Sequence, residues 1–450
     1  MNFIRKEIYK IFCFFICSSS FHTAFSQSHT HPHELAVSLN MDVKVLLPSA
    51  TPDRIILNLT STPETSVGVN WRTDTTITQG EIQVAIATDA TQFLKNVRTI
   101  YTTSEYLKVT HKTEPEVQAY YHSGVIENLE PGGLYVYRVG NGKHWSEWFQ
   151  FRMPSKDPNR PISLLYFGDA QNDIKSMWSR VIRESYKTMP DVTFMLHAGD
   201  LINRNDRDVE WGEWFYAGSF IHATVPSIMT PGNHEYGGGK LSPNWKPQFT
   251  LPKNGPKGLD ETCYEINYSD LKVISLDAEQ IDESAHYASA QAKWLDSVLT
   301  HNPRKWTAIT LHYPFFSTNP RRDNKELREL LKPIVDKHKV DIVLQGHDHA
   351  YGRGMVSNSM DVASNKNQSS GTVYVVSVSG PKMYDASNDP WMIRKASNTQ
   401  LFQLLTIKGN VLTYKAFTAT GELYDAFDLQ KQAGKPNVLV NKIPKTPEKK

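Results

Sequence analysis

Alternating hydrophobic and polar positions dominate the first part of this chain. From Arg54 to Met153, short runs such as SVGVNWRT and LYVYRVG alternate between apolar and polar residues, with Gly, Pro, Asn and Thr between the runs. Alternation with a period of two, interrupted by turn residues, is typical of strands with one buried face. About 100 residues of this pattern predict a β-sandwich. Trp71 and Tyr137 stand among apolar neighbours and are expected in its core.

The pattern changes after residues 154–161, a proline-rich segment that is typical of a linker. Strand-like apolar runs then alternate with helical stretches, which predicts an α/β domain. The predicted helices are Ile174–Lys187, Ser289–His301 and Asn324–His338.

Further strands are predicted in this second part, at the hairpin Cys263–Asp277 and within residues 371–429. We therefore expect mixed sheets packed face to face, with helices outside. The sequence places the β-sandwich at residues 35–153, the α/β domain at residues 162–430 and a polar, flexible tail at residues 431–450.

The first 26 residues have the pattern of a secretory signal peptide. Arg5, Lys6 and Lys10 precede an apolar segment, and Ala24-Phe25-Ser26 fits the small-residue pattern before a cleavage site. We expect export to the periplasm, the cell surface or the medium. Lipidation at Cys17 is an alternative, although the residues before it lack the small side chains of such sites.

Charge and cysteine content narrow the classes of partner. Removal of residues 1–26 takes three basic and one acidic side chain from totals of 49 and 47, which leaves 46 of each sign. A neutral balance gives no reason to expect nucleic-acid binding. We also expect no membrane span after the signal peptide. Cys263 is the one cysteine left, so no internal disulfide is expected, and the oligomeric state stays open.

Five apolar runs in the second part each end in residues that bind metals. Because ligands bind at the carboxyl ends of strands in α/β sheets, these residues are expected to form one site. Carboxylate, amide and imidazole groups without cysteine suit two divalent ions of zinc, iron or manganese. The residues are Asp169, Asp200, Asn233 with His234, His312, and His347 with His349.

The five runs, in this order, resemble the five motif blocks of the calcineurin-like metallophosphoesterases. They read Gly-Asp169-Ala-Gln, Gly-Asp200-Leu-Ile-Asn, Gly-Asn233-His234-Glu, Leu-His312-Tyr-Pro and Gly-His347-Asp-His349. The preceding β-sandwich, which resembles a fibronectin type III domain, makes the chain most similar to the purple acid phosphatases.

This resemblance implies a role for each residue. Asp200 would bridge two metal ions, and His234 would act as the general acid. Asp169 and His349 would hold the first ion, whereas Asn233, His312 and His347 would hold the second.

The sequence departs from the purple enzymes at two positions. Gln171 replaces their glycine and is an additional candidate ligand of the first metal. Asn203 replaces the tyrosine whose phenolate binds iron(III) and gives the purple colour. We therefore expect a colourless site with divalent ions, and the pH optimum stays open.

Three further side chains have candidate roles. Arg321 and Arg322 follow His312 in a polar loop, and arginine is suited to contacts with phosphate. A solvated charged loop is the alternative. Glu235 would either orient His234 or cap the next segment.

The resemblance thus predicts a metal-dependent phosphoesterase acting on small phosphorylated substrates. It favours acid-phosphatase-like hydrolysis of monoesters by a hydroxide that the metals activate. A phosphodiesterase or nucleotide hydrolase on the same site is the alternative. A cell-surface binding module with a vestigial metal site is a remote one.

Overall fold

The computed structural model describes residues 43–157, 159–356, 371–432 and 435–450. The predicted signal peptide lies outside these ranges, as do the first residues of the predicted β-sandwich. Within the described ranges, no helix has the length and apolar character needed to cross a membrane.

The N-terminal domain is the expected β-sandwich. Strands β1, β2, β6 and β5 form one antiparallel sheet, and β4, β3, β7 and β8 form the other. Trp71 and Tyr137 are buried in the core between them, as predicted. The strands are β1 (Asp53–Leu59), β2 (Val67–Thr73), β3 (Glu81–Ile86), β4 (Arg98–Tyr101), β5 (Thr103–Val109), β6 (Val117–Ile126), β7 (Leu134–Gly140) and β8 (Phe149–Arg152).

The second domain contains sixteen described strands and seven α-helices. The strands are β9 (Ile162–Phe167), β10 (Phe194–Ala198), β11 (Ser227–Thr230), β12 (Tyr236–Gly237), β13 (Lys240–Leu241), β14 (Tyr264–Tyr268), β15 (Leu271–Ser275), β16 (Trp306–Leu311), β17 (Ile342–Gln345), β18 (Tyr351–Val356), β19 (Thr372–Val376), β20 (Arg394–Ala396), β21 (Leu401–Lys408), β22 (Val411–Thr418), β23 (Leu423–Gln432) and β24 (Lys435–Asn441). The helices are α1 (Ser179–Thr188), α2 (Asp208–Gly218), α3 (Phe220–Thr224), α4 (Trp245–Gln248), α5 (Ala278–Glu283), α6 (Ala285–Thr300) and α7 (Lys325–His338).

Two mixed sheets pack against each other, which confirms the predicted architecture. One runs β14-β15-β16-β17-β19-β18-β20, and the other contains β9, β10 and β11 as parallel neighbours. Successive residues of β16 face opposite sides, because a strand alternates its side chains. Ala308 packs in the core between the sheets, whereas Ile309 packs in a second core that includes Leu295 of α6 and Leu331 of α7.

The predicted helices are present with small changes at their ends. A π-helical turn at Ile174–Trp178 continues directly into α1, and α6 and α7 match the other two predictions. The predicted hairpin corresponds to β14 and β15, which pair antiparallel.

The two domains share one sheet, which the sequence did not predict. Strand β1 of the sandwich pairs parallel with β11, with Asn58 opposite Ser227. The Asn58 Nδ2 group donates a hydrogen bond of 3.2 Å to the Ser227 carbonyl. The result is an eleven-stranded sheet that runs from β24 to β5 across both domains.

The prediction of a flexible tail after residue 431 is wrong for the described residues. Strand β24 pairs antiparallel with β23 at the end of the large sheet. The buried Asp341 carboxylate accepts a hydrogen bond from Lys431 at 2.6 Å and one from Asn437. Farther on, Arg394 donates to the Thr446 carbonyl at 2.6 Å. The polar composition was misleading, because an edge strand buries few apolar side chains and its polar groups can pair with buried charges.

Candidate metal centre

The candidate residues meet where the two sheets present the ends of their parallel strands. Asp169 follows β9 by two residues, Asp200 follows β10 by two, and His312 directly follows β16. Asn233 begins a short 3-10 helix after β11, and His347 lies just beyond β17. The carboxyl ends of strands from both sheets therefore converge on one site, as expected for α/β proteins.

The first group of ligand atoms comprises Asp200, His312 and His347, whose atoms lie within 4.8 Å of one another. The Asn233 Oδ1 atom is 3.1 Å from both His312 Nε2 and His347 Nδ1. Asp200 Oδ2 is 3.1 Å from His312 Nε2. Four donor atoms thus surround one point, and four is the usual coordination number of zinc-type ions.

The second group comprises Asp169, Asp200 and His349, again within 4.8 Å. The Gln171 side chain lies at this group, with Nε2 at 2.8 Å from Asp200 Oδ2 and 3.1 Å from His349 Nε2. The Oε1 atom of Gln171 is buried and has no hydrogen-bond partner among the described residues. Because Asp200 belongs to both groups, the arrangement suggests a dinuclear site.

Backbone groups orient the imidazoles of the site. His312 Nδ1 is 2.9 Å from the Ala198 carbonyl, and His349 Nδ1 is 3.0 Å from the Lys382 carbonyl. A carbonyl only accepts, so each Nδ1 carries a proton and Nε2 is the ring nitrogen that faces the site. Such outer partners fix the tautomer and the ring plane of metal-binding histidines.

Three of the candidate ligands have a left-handed backbone. The φ angles are 53° at Asp200, 75° at His347 and 49° at His349. A residue with a side chain pays on the order of 1–3 kcal/mol for a strained conformation of this kind. Hydrogen bonds hold two of them in place, from the Asp200 N–H to Glu235 and from the His347 N–H to Asp169.

Glycines next to the ligands allow the strand ends to approach closely. A Cβ atom at Gly232 would lie 2.2 Å from Asp200 Oδ1, and one at Gly346 would lie 2.7 Å from Asp169 Oδ2. Both distances are far below van der Waals contact. The Gly in the Gly-Asn233 and Gly-His347 motifs is therefore required by packing.

The electrostatics of the site favour a bound cation. Burial raises the pKa of Asp169 to about 7. Burial opposes the ionised form of Asp200 as well, but the neighbouring imidazoles of His312 and His234 outweigh it and lower its pKa. Burial likewise disfavours the charged form of His312, yet the Asp200 and Asp169 carboxylates raise its pKa to about 10. A proton on His312 is thus stabilised by the same carboxylates that would hold a metal ion.

The side chains of Arg322 and Lys382 add positive charge at the edge of this site. Burial lowers the pKa of His347, and the Arg322 guanidinium lowers it further. Burial also lowers the pKa of His349, with the Lys382 ammonium as the next cause. Both histidines are therefore neutral near pH 7, which is the form that binds metals.

His234 lies beside the two groups without belonging to either. Its Nδ1 is 2.6 Å from the Asn203 carbonyl, and its Nε2 is 3.9 Å from Asp200 Oδ2. Its side chain is 27% exposed, whereas that of His312 is fully buried. The geometry therefore leaves His234 accessible and aims its Nε2 edge at the site.

Of the two roles expected of Glu235, the structure shows capping, at the 3-10 helix Asn233–Glu235 that contains it rather than at the segment that follows. Its carboxylate accepts hydrogen bonds of 2.8 Å from the Asp200 and Leu201 N–H groups and one of 2.7 Å from Gly232 N–H. It therefore ties the Asp200 turn to the turn that carries Asn233. The ring of His234 is oriented by the Asn203 carbonyl instead.

Asp348 is a functional residue that the sequence reasoning missed. It is buried, and its Oδ2 atom accepts hydrogen bonds from Ser317 Oγ at 2.7 Å and from Thr318 N–H at 2.6 Å. It thus joins the turn between His347 and His349 to the loop that follows His312. Its position between the candidate ligands His347 and His349 is the feature of the sequence that could have indicated this role.

The two candidate phosphate-binding arginines differ in position. Arg322 donates from Nη1 to the His347 carbonyl at 2.8 Å and to Asp348 Oδ1 at 3.1 Å, so it braces the His347 turn. Arg321 is exposed, and its backbone N–H donates to Asn319.

Comparisons with known proteins identify the family of both domains. Residues 52–153 match the purple acid phosphatase N-terminal domain, and residues 162–351 match the calcineurin-like phosphoesterase domain. Human acid phosphatase type 7 is 27% identical over 71% of this chain and 74% of its own length. The Fe(3+)-Zn(2+) purple acid phosphatase 12 of Arabidopsis thaliana is 29% identical over 53% of both chains.

A solved structure supports the fold. The purple acid phosphatase from yellow lupin (Lupinus luteus) seeds superposes with a TM-score of 0.69 at 19% identity, and the match covers 84% of this chain and 74% of that chain. The two domain matches, in the same order as in the sequence, account for most of the described residues. The chain therefore belongs to the purple acid phosphatase family of calcineurin-like phosphoesterases, which are hydrolases of phosphoric esters.

Proposed function

We propose that this protein is an exported, dinuclear metal-dependent phosphatase that hydrolyses phosphate monoesters. The observation that carries the proposal is the position of Asp200, whose carboxylate lies within ligand distance of both donor groups. Oxygen and imidazole donors without a thiolate fit divalent zinc, iron or manganese. The residues assigned to the metals are Asp169, Asp200, Asn233, His312, His347 and His349. Gln171 is an additional ligand if its amide turns so that Oε1 takes the place of Nε2.

The residues of the chain divide the chemistry between them. Asp200 and the other ligands would hold two ions, which would neutralise the phosphoryl oxygens and activate a water molecule. The neutral amide of Asn233 would leave more of the positive charge for the substrate. The cations Arg322 and Lys382 add to the positive potential, which favours a doubly charged phosphate group.

His234 is assigned as the general acid. Its Nδ1 proton is committed to the Asn203 carbonyl at 2.6 Å, so Nε2 is the atom that exchanges a proton with the substrate. The partly exposed ring is able to meet a leaving group that enters from solvent. In its imidazolium form the ring carries a proton on each nitrogen, and donation of the Nε2 proton to the departing alkoxide leaves the neutral ring with its Nδ1 proton on the Asn203 carbonyl.

The metal pair is proposed to be divalent and colourless. Asn203 stands where the purple enzymes have a tyrosine, and it contributes its backbone carbonyl to His234. Two tyrosine hydroxyls near the site are bound elsewhere, that of Tyr236 to Asp277 at 2.6 Å and that of Tyr313 to Glu279. The ligand that gives a phenolate-to-iron(III) absorption band is therefore missing from the position that supplies it.

The decisive experiment is metal analysis of the purified protein followed by assay of a phosphoester panel across pH. We expect two equivalents of divalent metal, no visible absorption band, and hydrolysis of alkyl and aryl monoesters. Faster turnover of a bis-aryl diester than of the matched monoester would favour the phosphodiesterase alternative. Full metal occupancy without turnover on any ester would contradict the enzymatic proposal.

A further inference from the structure

We propose that Glu114 of the β-sandwich is a positioning residue for catalysis, acting on His234 through Arg207 and Glu210. The inference rests on the proposed role of His234 as the general acid. It assigns a part in the reaction to a domain that contributes no ligand to either metal group.

The His234 ring depends on one short loop. Residues 203–207 connect the Asp200 turn to helix α2, and the Asn203 carbonyl in this loop contacts His234 Nδ1 at 2.6 Å. Any displacement of that carbonyl would rotate the ring and move Nε2 away from the leaving group. Small displacements of catalytic groups are costly to turnover.

Glu210 of α2 holds the first residues of this loop in place. Its Oε2 atom accepts hydrogen bonds from the Asn203 N–H at 2.6 Å and from the Arg204 N–H at 2.9 Å. The carboxylate is 9% exposed. A carboxylate so shielded from water holds its charge only if a cation lies beside it.

Arg207 is that cation, and it binds two carboxylates at once. Its Nη1 group donates to Glu210 Oε1 at 2.7 Å, and its Nε group donates to Glu114 Oε1. Glu114 lies in the loop between β5 and β6 and is only 9% exposed. The sandwich therefore supplies the second anchor that fixes the direction of the Arg207 guanidinium.

Glu114 is not needed to hold the domains together. Buried ion pairs join Asp208 of α2 to Arg54 at 2.7 Å and to Arg72 at 3.1 Å. The pairing of β1 with β11 adds a second connection. Loss of Glu114 should consequently affect the loop at residues 203–207 while the domain interface remains.

The test compares Glu114→Gln with Glu116→Gln. Glu116 lies in the same loop and pairs with Lys108 at the surface, so it controls for loss of a nearby charge. We expect Glu114→Gln to lower kcat about 3- to 10-fold on alkyl phosphates, with a smaller loss on aryl phosphates that need less protonation. KM, metal content and melting temperature should stay near those of the control. Equal losses on alkyl and aryl esters, or no difference from the control, would overturn the proposal.

A double-mutant cycle asks whether the effect passes through His234. In a His234→Ala background, Glu114→Gln should cause no further loss of kcat, because the group that it positions is gone. An undiminished loss in that background contradicts the proposed relay.

A readout independent of turnover separates this inference from the proposed function. The ¹⁵N shifts of the His234 ring report which nitrogen carries the proton. We expect Glu114→Gln to shift the ring away from the Nδ1–H tautomer, with Glu116→Gln unchanged. An unaltered tautomer would overturn the relay even if the protein proved inactive on every phosphoester.

Discussion

At the scale of single residues, Asp200 is the side chain on which the site depends most. We expect Asp200→Ala to lose both metal ions and all phosphatase activity, because among the residues that the structure describes only Asp200 belongs to both donor groups. Elemental analysis after gel filtration measures the metal content. His234→Ala is the matched control and should keep two ions. Retention of both ions by Asp200→Ala would show that the bridging ligand lies elsewhere.

His234 provides the second prediction at this scale. His234→Ala should lower kcat by about 10²–10⁴-fold on alkyl phosphates, which is the usual contribution of a positioned general acid. The loss should be smaller on aryl phosphates, whose leaving groups need less protonation. Steady-state kinetics on a matched ester series measures both. Equal losses across the series would instead indicate a role in substrate binding.

The six metal-binding candidates could be found in the sequence because each follows a strand whose apolar pattern is visible. The contacts that orient these six side chains could not be found in the sequence. The Asn203 carbonyl beside His234 is a backbone group, and its position has no signature in residue type. The capping role of Glu235 could be predicted, but its contacts with the Asp200 and Leu201 N–H groups could not, since these residues precede it by more than thirty positions.

At the scale of elements, strands with regular alternation were predictable and the edges of the sheets were not. The sandwich and the parallel strands carry a strong hydrophobic pattern. Strand β24 does not, and it was assigned to a flexible tail. The pairing of β1 with β11 also has no local signal, because it depends on how two separately patterned domains pack.

The packing of α2 and α3 against β10 predicts a dependence of stability on pH. His222 of α3 is fully buried, and its ring stacks on Trp214 of α2 with centroids 4.1 Å apart. Burial lowers the pKa of His222 from 6.5 to about 3. The unfolded chain therefore binds a proton at His222 that the folded chain does not bind. The free energy of unfolding falls as the pH drops from 6.5 toward 3. The loss is on the order of a few kcal/mol.

His222→Leu should reduce this acid sensitivity. The variant removes the titrating group, so its melting temperature should fall less between pH 7 and pH 4 than that of the parent, even if it is lower at pH 7. Differential scanning fluorimetry at several pH values measures the slope of the melting temperature against pH. His286→Leu, at an exposed position, is the control and should keep the slope of the parent. Identical slopes for all three proteins would rule out His222 as the source.

At the scale of the whole molecule, the shared sheet predicts that the second domain is unstable alone. Deletion of residues before 154 would leave β11 without its neighbour β1 and expose an unpaired edge. We expect the truncated protein to aggregate or to melt at a lower temperature. A Gly-Ser insertion within residues 154–161 is the control and should be tolerated, since it leaves the sheet intact. A monomeric truncated protein with normal stability would contradict this view.

The position of β9 determines when the sheet around it can be completed during synthesis. This strand leads to Asp169, and its two neighbours in the sheet are β10 and β21. The first neighbour follows soon after β9, but β21 begins only at Leu401, more than 230 residues after the end of β9. Until β21 is made, β9 has one open side, and pairing across so long a stretch of chain is slow. A nascent chain that ends between His349 and Leu401 would therefore contain every candidate ligand of the metals but not the strand that pairs with the open side of β9.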